Sequence, residues 1–583
     1  MKNILTIVFF VFTYIYGIAQ SSKLVILHTN DLHSAIDYTI INGEKTGGFA
    51  KIATIIKTEK ENHPNNLIVT SGGDMFMGTL FQSLEFETNF QLKLMKEIGF
   101  DALVLGNHDL DYYNLLPNII TDENNPTLIL SNFKSLNPVF QQFIKPYTII
   151  ERDNLKIGMF GIIGENAILD TKHNDSLFFD NQIKSAKKIV KILKKQEKVD
   201  FIICLSHAGV WHNKRGKKDK WYGDDINLAK KVNGIDLILG GHSHTKLFKP
   251  IIINQIPIIQ TGCDAKYIGK LELDINKSKI VSYKYQLIEL DDKIPNDSLT
   301  DKKIKNQVEK INEQVLKDFN LTLYQPLAYT DFDLTSERNN LNNSNLAILI
   351  ADAMLYYVNN FSDAKADISV IAKGCIRNNL YKGKITINDI FNSTSLGYGD
   401  DNIPGYPLSK IYISAKELKL LLELLLIVQK EHSGAQCFFA NLDYSYNDKK
   451  RNFHKITTIM IDNKLVDFSK NNKKLYSIVA DAIMIDFFYK IEKTTYGLIK
   501  VTPKDINGNK IKNFHETFID FDKDKEGVQE GKCWLALYYY LKNFKKDEDN
   551  LYVILDKYKP IESTEITKKL YVKQKRKKKQ RSI

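Results

Sequence analysis

The chain has 583 residues, too many for one ordinary core, so two to four domains are expected at roughly 100–200 residues each. Apolar residues make up 43% and charged residues 26%, which excludes intrinsic disorder, collagen and coiled coil as readings of the whole chain. The net charge of +12 is concentrated at one end: residues 568–583 hold nine Lys or Arg and no Asp or Glu, so the body is close to neutral.

Taken from the start, Lys2 precedes an apolar run over 4–15, and Gly17-Ile18-Ala19 offers small residues at the −3 and −1 positions of a cleavage site. That order predicts a secretory signal peptide over 1–19 and an exported chain, periplasmic or extracellular. The run is shorter than the ~20 residues a membrane span needs. The most apolar later stretch, 418–428, is interrupted by Glu423, so no transmembrane span is expected. The five cysteines are scattered and odd in number, which excludes a complete disulfide framework.

Between 22 and 295 short apolar runs end abruptly in Gly, Asn, Asp or His. They lie at 24–27, 67–69, 102–105, 201–205 and 237–239, and crossover helices fit at 49–60, 86–98 and 182–195. Strands alternating with helices predict an α/β domain with buried strands. Directly after the runs stand HTNDLH with Asp31 and His33, TSGGD with Asp74, and GNHDLD with Asn107, His108 and Asp111. SHAG with His207 and GGHSHT with His242 and His244 follow the last two. Each Asp taken singly reads as a helix cap or turn former. Taken together, five strand ends carrying such groups predict convergence, because open α/β sheets bind ligands beyond the carboxyl ends of their strands. Imidazole, carboxylate and amide oxygen without thiolate suit a divalent Zn, Mn, Fe, Co or Mg. The set exceeds what one tetrahedral ion uses and suits two ions sharing a carboxylate. His28 is expected to pack, or to brace a ligand, rather than to bind metal.

Residues 300–320 read as one amphipathic helix, with Ile304, Val308, Ile311 and Val315 on one face and Thr300 or Asp301 as cap. It divides the chain, and the connector is placed at 298–322. From 325 to 560 a second α/β pattern follows, with helices at 346–358 and 415–428 and a strand at 368–371. The tail, 561–583, is expected to be basic and disordered. It is the only segment that suggests nucleic acid or an anionic surface as a partner.

The motifs D-x-H, G-D, G-N-H-x-x-D, S-H-x-G and G-H-S-H, in this order, resemble the calcineurin-like metallophosphoesterases. The HTNDLH opening and the large second domain narrow the resemblance to the 5′-nucleotidase family, as a divergent bacterial branch, over about residues 23–560. It implies a four-layer αββα sandwich joined by a helix to a second α/β substrate domain. It also implies two divalent metals, Asp31, His33, Asp74 and His244 holding one and Asp74, Asn107, His207 and His242 the other. His108 and Asp111 match the catalytic dyad. The implied activity is removal of phosphate from 5′-nucleotides or related esters by a metal-bound hydroxide. UDP-sugar hydrolysis, 2′,3′-cyclic-nucleotide phosphodiesterase activity and non-catalytic ligand binding are the alternatives. In VIAKGCIR, Arg377 matches a substrate-contacting Arg, although Ala372 and Cys375 replace the family's Asn and Gly; Arg338 lies near a second such Arg. The family's base-stacking segment is not recognisable. Phe438, Phe439, Phe487, Phe488 and Tyr489 are the candidates to replace it, and most aromatics there are expected in the core.

Overall fold

A computed structural model describes residues 22–560 except 42, 172–175, 214–219, 277, 337–343, 402, 432, 470 and 487–500. The predicted signal peptide (1–19), Arg338, Phe487, Phe488, Tyr489 and the basic tail (561–583) therefore lie outside the described residues.

The predicted apolar runs are the central strands of two six-stranded sheets. The first has the order Lys279–Glu289, Tyr267–Asn276, Ser22–Thr29, Leu67–Ser71, Ala102–Val104, Thr127–Ile129. Its last four strands are parallel, with the long hairpin of the first two antiparallel at the edge. The second has the order Ile251–Ile253, Ile256–Ile259, Leu237–Gly240, Phe201–His207, Leu155–Ile163, Tyr147–Arg152, with four parallel strands between antiparallel edges.

Period-two alternation builds the layers. Ile203, Leu205, Leu237 and Leu239 point into the core between the sheets. Ile202, Cys204 and Ile238 point outward, against Ala186, Ile189 and Leu193 of helix Gln182–Lys195. A strand with both faces covered must be apolar throughout, which is why these strands read as continuous runs. The result is the four-layer αββα sandwich.

Helix Phe49–Asn62 and helix Gln182–Lys195 match their predicted positions. The single helix expected over 86–98 is instead two, Glu85–Thr88 and Phe90–Ile98, because Asn89 takes a left-handed φ of 52° between them. Its side chain donates to Asn125 Oδ1 at 2.9 Å. Asn tolerates that conformation better than most residues. The connector forms α-helix only over Ser298–Ile311, and its cap is Asp297, which accepts from Thr300 N at 2.9 Å, rather than Thr300 or Asp301. Beyond it the chain widens into a π turn, Asn312–Leu316.

The second domain is built on the sheet Leu408–Ser414, Leu475–Asp481, Ile368–Ala372, Cys437–Ala440. Ile371 faces helices Asn345–Phe361 and Cys533–Leu541, while Val370 faces helix Ala415–Glu431. All five cysteines are free thiols. Among the described residues no helix is long and apolar enough to cross a membrane.

His28 ties the two sheets together. Its Nε2 is 3.0 Å from the Gly240 carbonyl, which can only accept, so Nε2 carries the proton and Nδ1 accepts from Thr70 Oγ1 at 3.0 Å. Burial pushes the ring pKa down to about 4, against the pull of the Gly240 carbonyl. The native ring is thus neutral, whereas in the unfolded chain it protonates below about 6.5. Its contribution to stability is complete above pH 6.5 and is lost as pH falls toward 4, by up to about 3 kcal/mol. Denaturant unfolding of wild type and His28→Gln at pH 7 and 4.5 checks this: the variant should lose that share of acid sensitivity, and equal acid sensitivity in both would refute it.

Candidate metal centre

Both sheets end their parallel strands at the same edge of the sandwich, so the loops after them meet. Asp31 N donates to Gly73 O at 2.9 Å, His33 N to Asp74 O at 3.0 Å and Ser34 N to Met75 O at 2.7 Å, zipping the HTNDLH loop to the TSGGD loop. The GGHSHT turn joins them from the other sheet, His242 N donating to Asp31 Oδ2 at 2.9 Å. This knitting holds a strained backbone. Asp31, His33, Asp74, His242 and His244 take φ values of 50°, 49°, 51°, 76° and 53°. Non-glycine residues there cost about 1–3 kcal/mol each and persist where the surroundings over-determine them, which happens most at functional sites.

Two groups of ligand atoms converge, Asp31 with His33 and His244, and Asp31 with Asp74 and His207; the Asp31 carboxylate is common to both. His33 Nδ1 faces the carbonyls of Phe76 (3.3 Å) and Met77 (3.1 Å), which makes it the donor and leaves Nε2 a lone pair. That lone pair lies 3.0 Å from His244 Nε2. His207 Nδ1 donates to Gly72 O at 2.8 Å, aiming Nε2 at Asn107 Oδ1 (3.1 Å) and Asp74 Oδ2 (3.2 Å). His242 packs on His207 with ring centroids 5.1 Å apart, and its Nε2 is 3.0 Å from Asn166 Oδ1. Bracing of one imidazole nitrogen so that the other is presented is how proteins prepare metal ligands.

The electrostatics fit a cation. Burial, then the Arg377 charge, holds His33 well below the usual imidazole range and His244 at about 3. Burial, then His207, does the same to His242. These three rings are neutral and offer lone pairs. Burial pushes Asp31 up to about 7, while Asp74 stays well below the ordinary carboxylate range because His207 and His108 overcome its burial. Two buried carboxylates and three neutral imidazoles form a donor set that divalent cations satisfy. At His207 burial is outweighed by the Asp74 charge, which pushes the ring up to about 10, so that ring would release a proton on binding.

His108 and Asp111 stand one helical turn apart on Asn107–Asp111, with Nδ1 to Oδ2 at 3.1 Å. The ring lies 5.5 Å from that of His33. Burial opposes its protonation, but the Asp74 charge and the Asp111 contact outweigh it and raise its pKa above the ordinary value. Arg377 crosses from the second domain and sets Nη2 2.9 Å from His33 Nε2. Phe438 lies in the core, and half-buried Phe439 meets Tyr444 edge-on.

Three neighbours were not singled out from the sequence. Asp109 is fully buried and accepts from Gly106 N (2.8 Å), Met75 N (2.8 Å) and Phe76 N (3.0 Å), fixing the His108 helix to the Asp74 loop. It lies inside the GNHDLD motif, where its capping role was legible. Asn166 follows the end of strand Leu155–Ile163, so the rule that found the other strand ends also applies to it. Tyr398 of the second domain stacks on Tyr112, beside Asp111, at 4.9 Å and 9°; no motif marks it.

Comparison with known proteins agrees with this geometry. A family model described as calcineurin-like phosphoesterase matches residues 24–246, and one described as 5′-nucleotidase, C-terminal domain matches 322–482. The trifunctional nucleotide phosphoesterase protein YfkN of Bacillus subtilis is 25% identical over 75% of this chain, a match that spans only 30% of that protein. A 5′-nucleotidase of Vibrio cholerae is 26% identical over 74% of this chain and 80% of its own length. The solved structure of a 5′-nucleotidase precursor from Thermus thermophilus covers 91% of this chain and 99% of its own, with a TM-score of 0.66 at 21% identity, and so shares the fold.

The closeness of the loops makes Gly106 a test of the arrangement. A methyl group there would lie 2.1 Å from Asp74 Oδ1 and 2.5 Å from Asp74 N, and backbone cannot yield as a flexible side chain can. Gly106→Ala should displace Asp74, lowering bound divalent metal measured by elemental analysis while the far-ultraviolet circular dichroism stays native. Unchanged metal content would refute the assignment of Asp74 as a ligand.

Proposed function

The chain belongs to the 5′-nucleotidase family of calcineurin-like phosphoesterases, and on that premise we propose that it is an exported phosphohydrolase that uses two divalent metals to remove phosphate from 5′-nucleotides or related esters. The observation that carries this reading is the protonatable His108–Asp111 pair set against two convergent ligand groups, with a guanidinium at their edge. Export rests on the residue order at 1–19. The proposed limits are 22–295 for the metal-binding domain, 298–322 for the connector and 325–560 for the substrate domain.

Asp31, His33, Asp74 and His244 would hold one cation, and Asp74, Asn107, His207 and His242 the other. Bound there, the two ions supply Lewis acidity to phosphoryl oxygens and lower the pKa of a water. The protein's own groups do the rest. His108 is oriented through Nδ1 by Asp111, and its Nε2 proton stabilises phosphoryl charge and passes to the leaving alkoxide. Asp109 keeps that helix in register with the Asp74 loop. Arg377 pairs with phosphoryl or sugar oxygens through charge-assisted hydrogen bonds.

Phosphate release measured over nucleoside monophosphates, cyclic nucleotides, UDP-sugars and simple esters tests the reading and separates these substrate classes. Activity should vanish with a chelator and return with Mn, Co or Zn. Undiminished turnover after complete metal removal would overturn the proposal.

The variants divide the roles. Asp74→Ala should abolish turnover and lower metal content. His108→Ala should retain both metals and lose about 10²–10⁴-fold in kcat, with Asp111→Asn losing less. Equal loss of metal in His108→Ala and Asp74→Ala would refute the role given to His108.

A further inference from the structure

Beside the metal centre the first domain carries a short hairpin, Trp211–Asn213 with Lys220–Tyr222, that the motifs do not explain. Its register sets Trp211 opposite Tyr222 and His212 opposite Trp221. Directly opposed residues share a face and successive residues alternate, so Trp211 and Tyr222 form one face and His212 and Trp221 the other. Trp221 packs on the core outside the second sheet, with the His212 ring 4.5 Å away. The opposite face turns to the metal centre. Trp211 meets the His242 ring edge-on at 5.8 Å and 86°, and lies 6.1 Å from the Tyr222 ring at 29°. Tyr222 is 50% exposed, so this face is open to solvent at its rim.

The indole is seated with care. Val210 N donates to Ser243 Oγ at 3.1 Å, and Val210 O accepts from Thr245 Oγ1 at 2.8 Å. Both hydroxyls belong to the turn that carries His242 and His244, so the residue before Trp211 is tied to the ligand loop through both its backbone groups. Gly209 (φ +87°) and Gly223 (φ +131°) press on the ring. A methyl on Gly209 would stand 2.7 Å from Trp211 Cη2, and one on Gly223 3.0 Å from Cε3 and 2.4 Å from the Gly209 carbonyl. Gly209, the glycine of the S-H-A-G motif, therefore serves the indole as well as the turn.

A Trp–Tyr pair held rigidly at the lip of a polar site presents flat apolar area with little rotamer entropy left to lose. We infer that Trp211 and Tyr222 form a stacking panel for the planar aromatic group, nucleobase or aryl, of a phosphate ester whose phosphoryl group lies at the metal centre. This deepens the phosphohydrolase reading and rests on it for the position of the phosphoryl group. It places recognition of the ester's aromatic part on the metal-bearing domain itself.

The test compares the metal-loaded full chain with Trp211→Ala, Trp211→Phe and Tyr222→Ala, using AMP, p-nitrophenyl phosphate and glycerol 3-phosphate as substrates. Stacking on an aromatic side chain is worth about 5- to 150-fold in affinity. The preference in kcat/KM for AMP over glycerol 3-phosphate should fall by that factor in Trp211→Ala, by less in Tyr222→Ala, and should be largely kept in Trp211→Phe. A parallel fall for p-nitrophenyl phosphate extends the panel to any aryl group, and a fall for AMP alone restricts it to the base; both support it. Binding of adenosine, which has no phosphate, measured by calorimetry, should weaken in Trp211→Ala whether or not any ester turns over. If wild type cleaves no ester yet adenosine binding weakens in the variant, the phosphohydrolase reading fails and the panel stands. An unchanged preference ratio with unchanged adenosine binding would overturn the panel. So would an equal loss for all three substrates with reduced metal content, which would make Trp211 a prop for His242.

Discussion

Two carboxylates buried side by side are the constraint around which the first domain is arranged. Asp31 and Asp74 are almost fully removed from water, and the rings nearest them, apart from His207 and His108, are driven to the neutral form by the same burial. Low local polarity makes uncompensated charge expensive and makes lone pairs strong donors. Divalent cations resolve both terms at once. The hydrogen bonds that cross between loops, including those of Asp109 and Asn166, hold the donors in place against a backbone with five strained positions.

That arrangement depends on the sandwich. Ligand loops from two sheets can meet only if both sheets end their parallel strands at one edge. The inner faces of the strands must also pack closely enough to bring Gly72 and Gly241 into contact; a methyl on Gly241 would stand 2.3 Å from the Gly72 carbonyl. His28 spans the same seam with a single neutral ring. Fold stability and site geometry therefore share residues, and changes at the seam are expected to be felt in both.

The second domain contributes from across the interface. Arg377 reaches His33, Tyr398 stacks on Tyr112 and Gln82 Nε2 approaches Ser395 O at 3.5 Å, while Tyr324, just before the domain begins, meets Asp37. Charge is added to the ligand loops by Arg377, which stands in the loop after strand Ile368–Ala372 of the second domain. The hairpin of Trp211 and Tyr222 does the reverse, giving the first domain a flat apolar surface next to its polar ligands.

The sequence by itself determined the layers and the convergence of the candidate ligands. Continuous apolar runs mean strands covered on both faces, and Asp31, Asp74, Asn107, His108, His207, His242 and His244 follow those runs directly, so their shared location was legible before any coordinates. Local rules also located helix Gln182–Lys195 residue for residue. What only the tertiary structure decided were matters of competition between local preference and distant contacts. Asn89 breaks a helix because its side chain is claimed by Asn125. Asp297 caps the connector in place of two equally suitable neighbours. That the Asp31 carboxylate lies nearest both convergent groups is set by side-chain direction, which depends on left-handed backbone that no residue type announces. Trp211 and Tyr398 gained their places from packing between elements far apart in the chain, and periodicity carries no record of such distances.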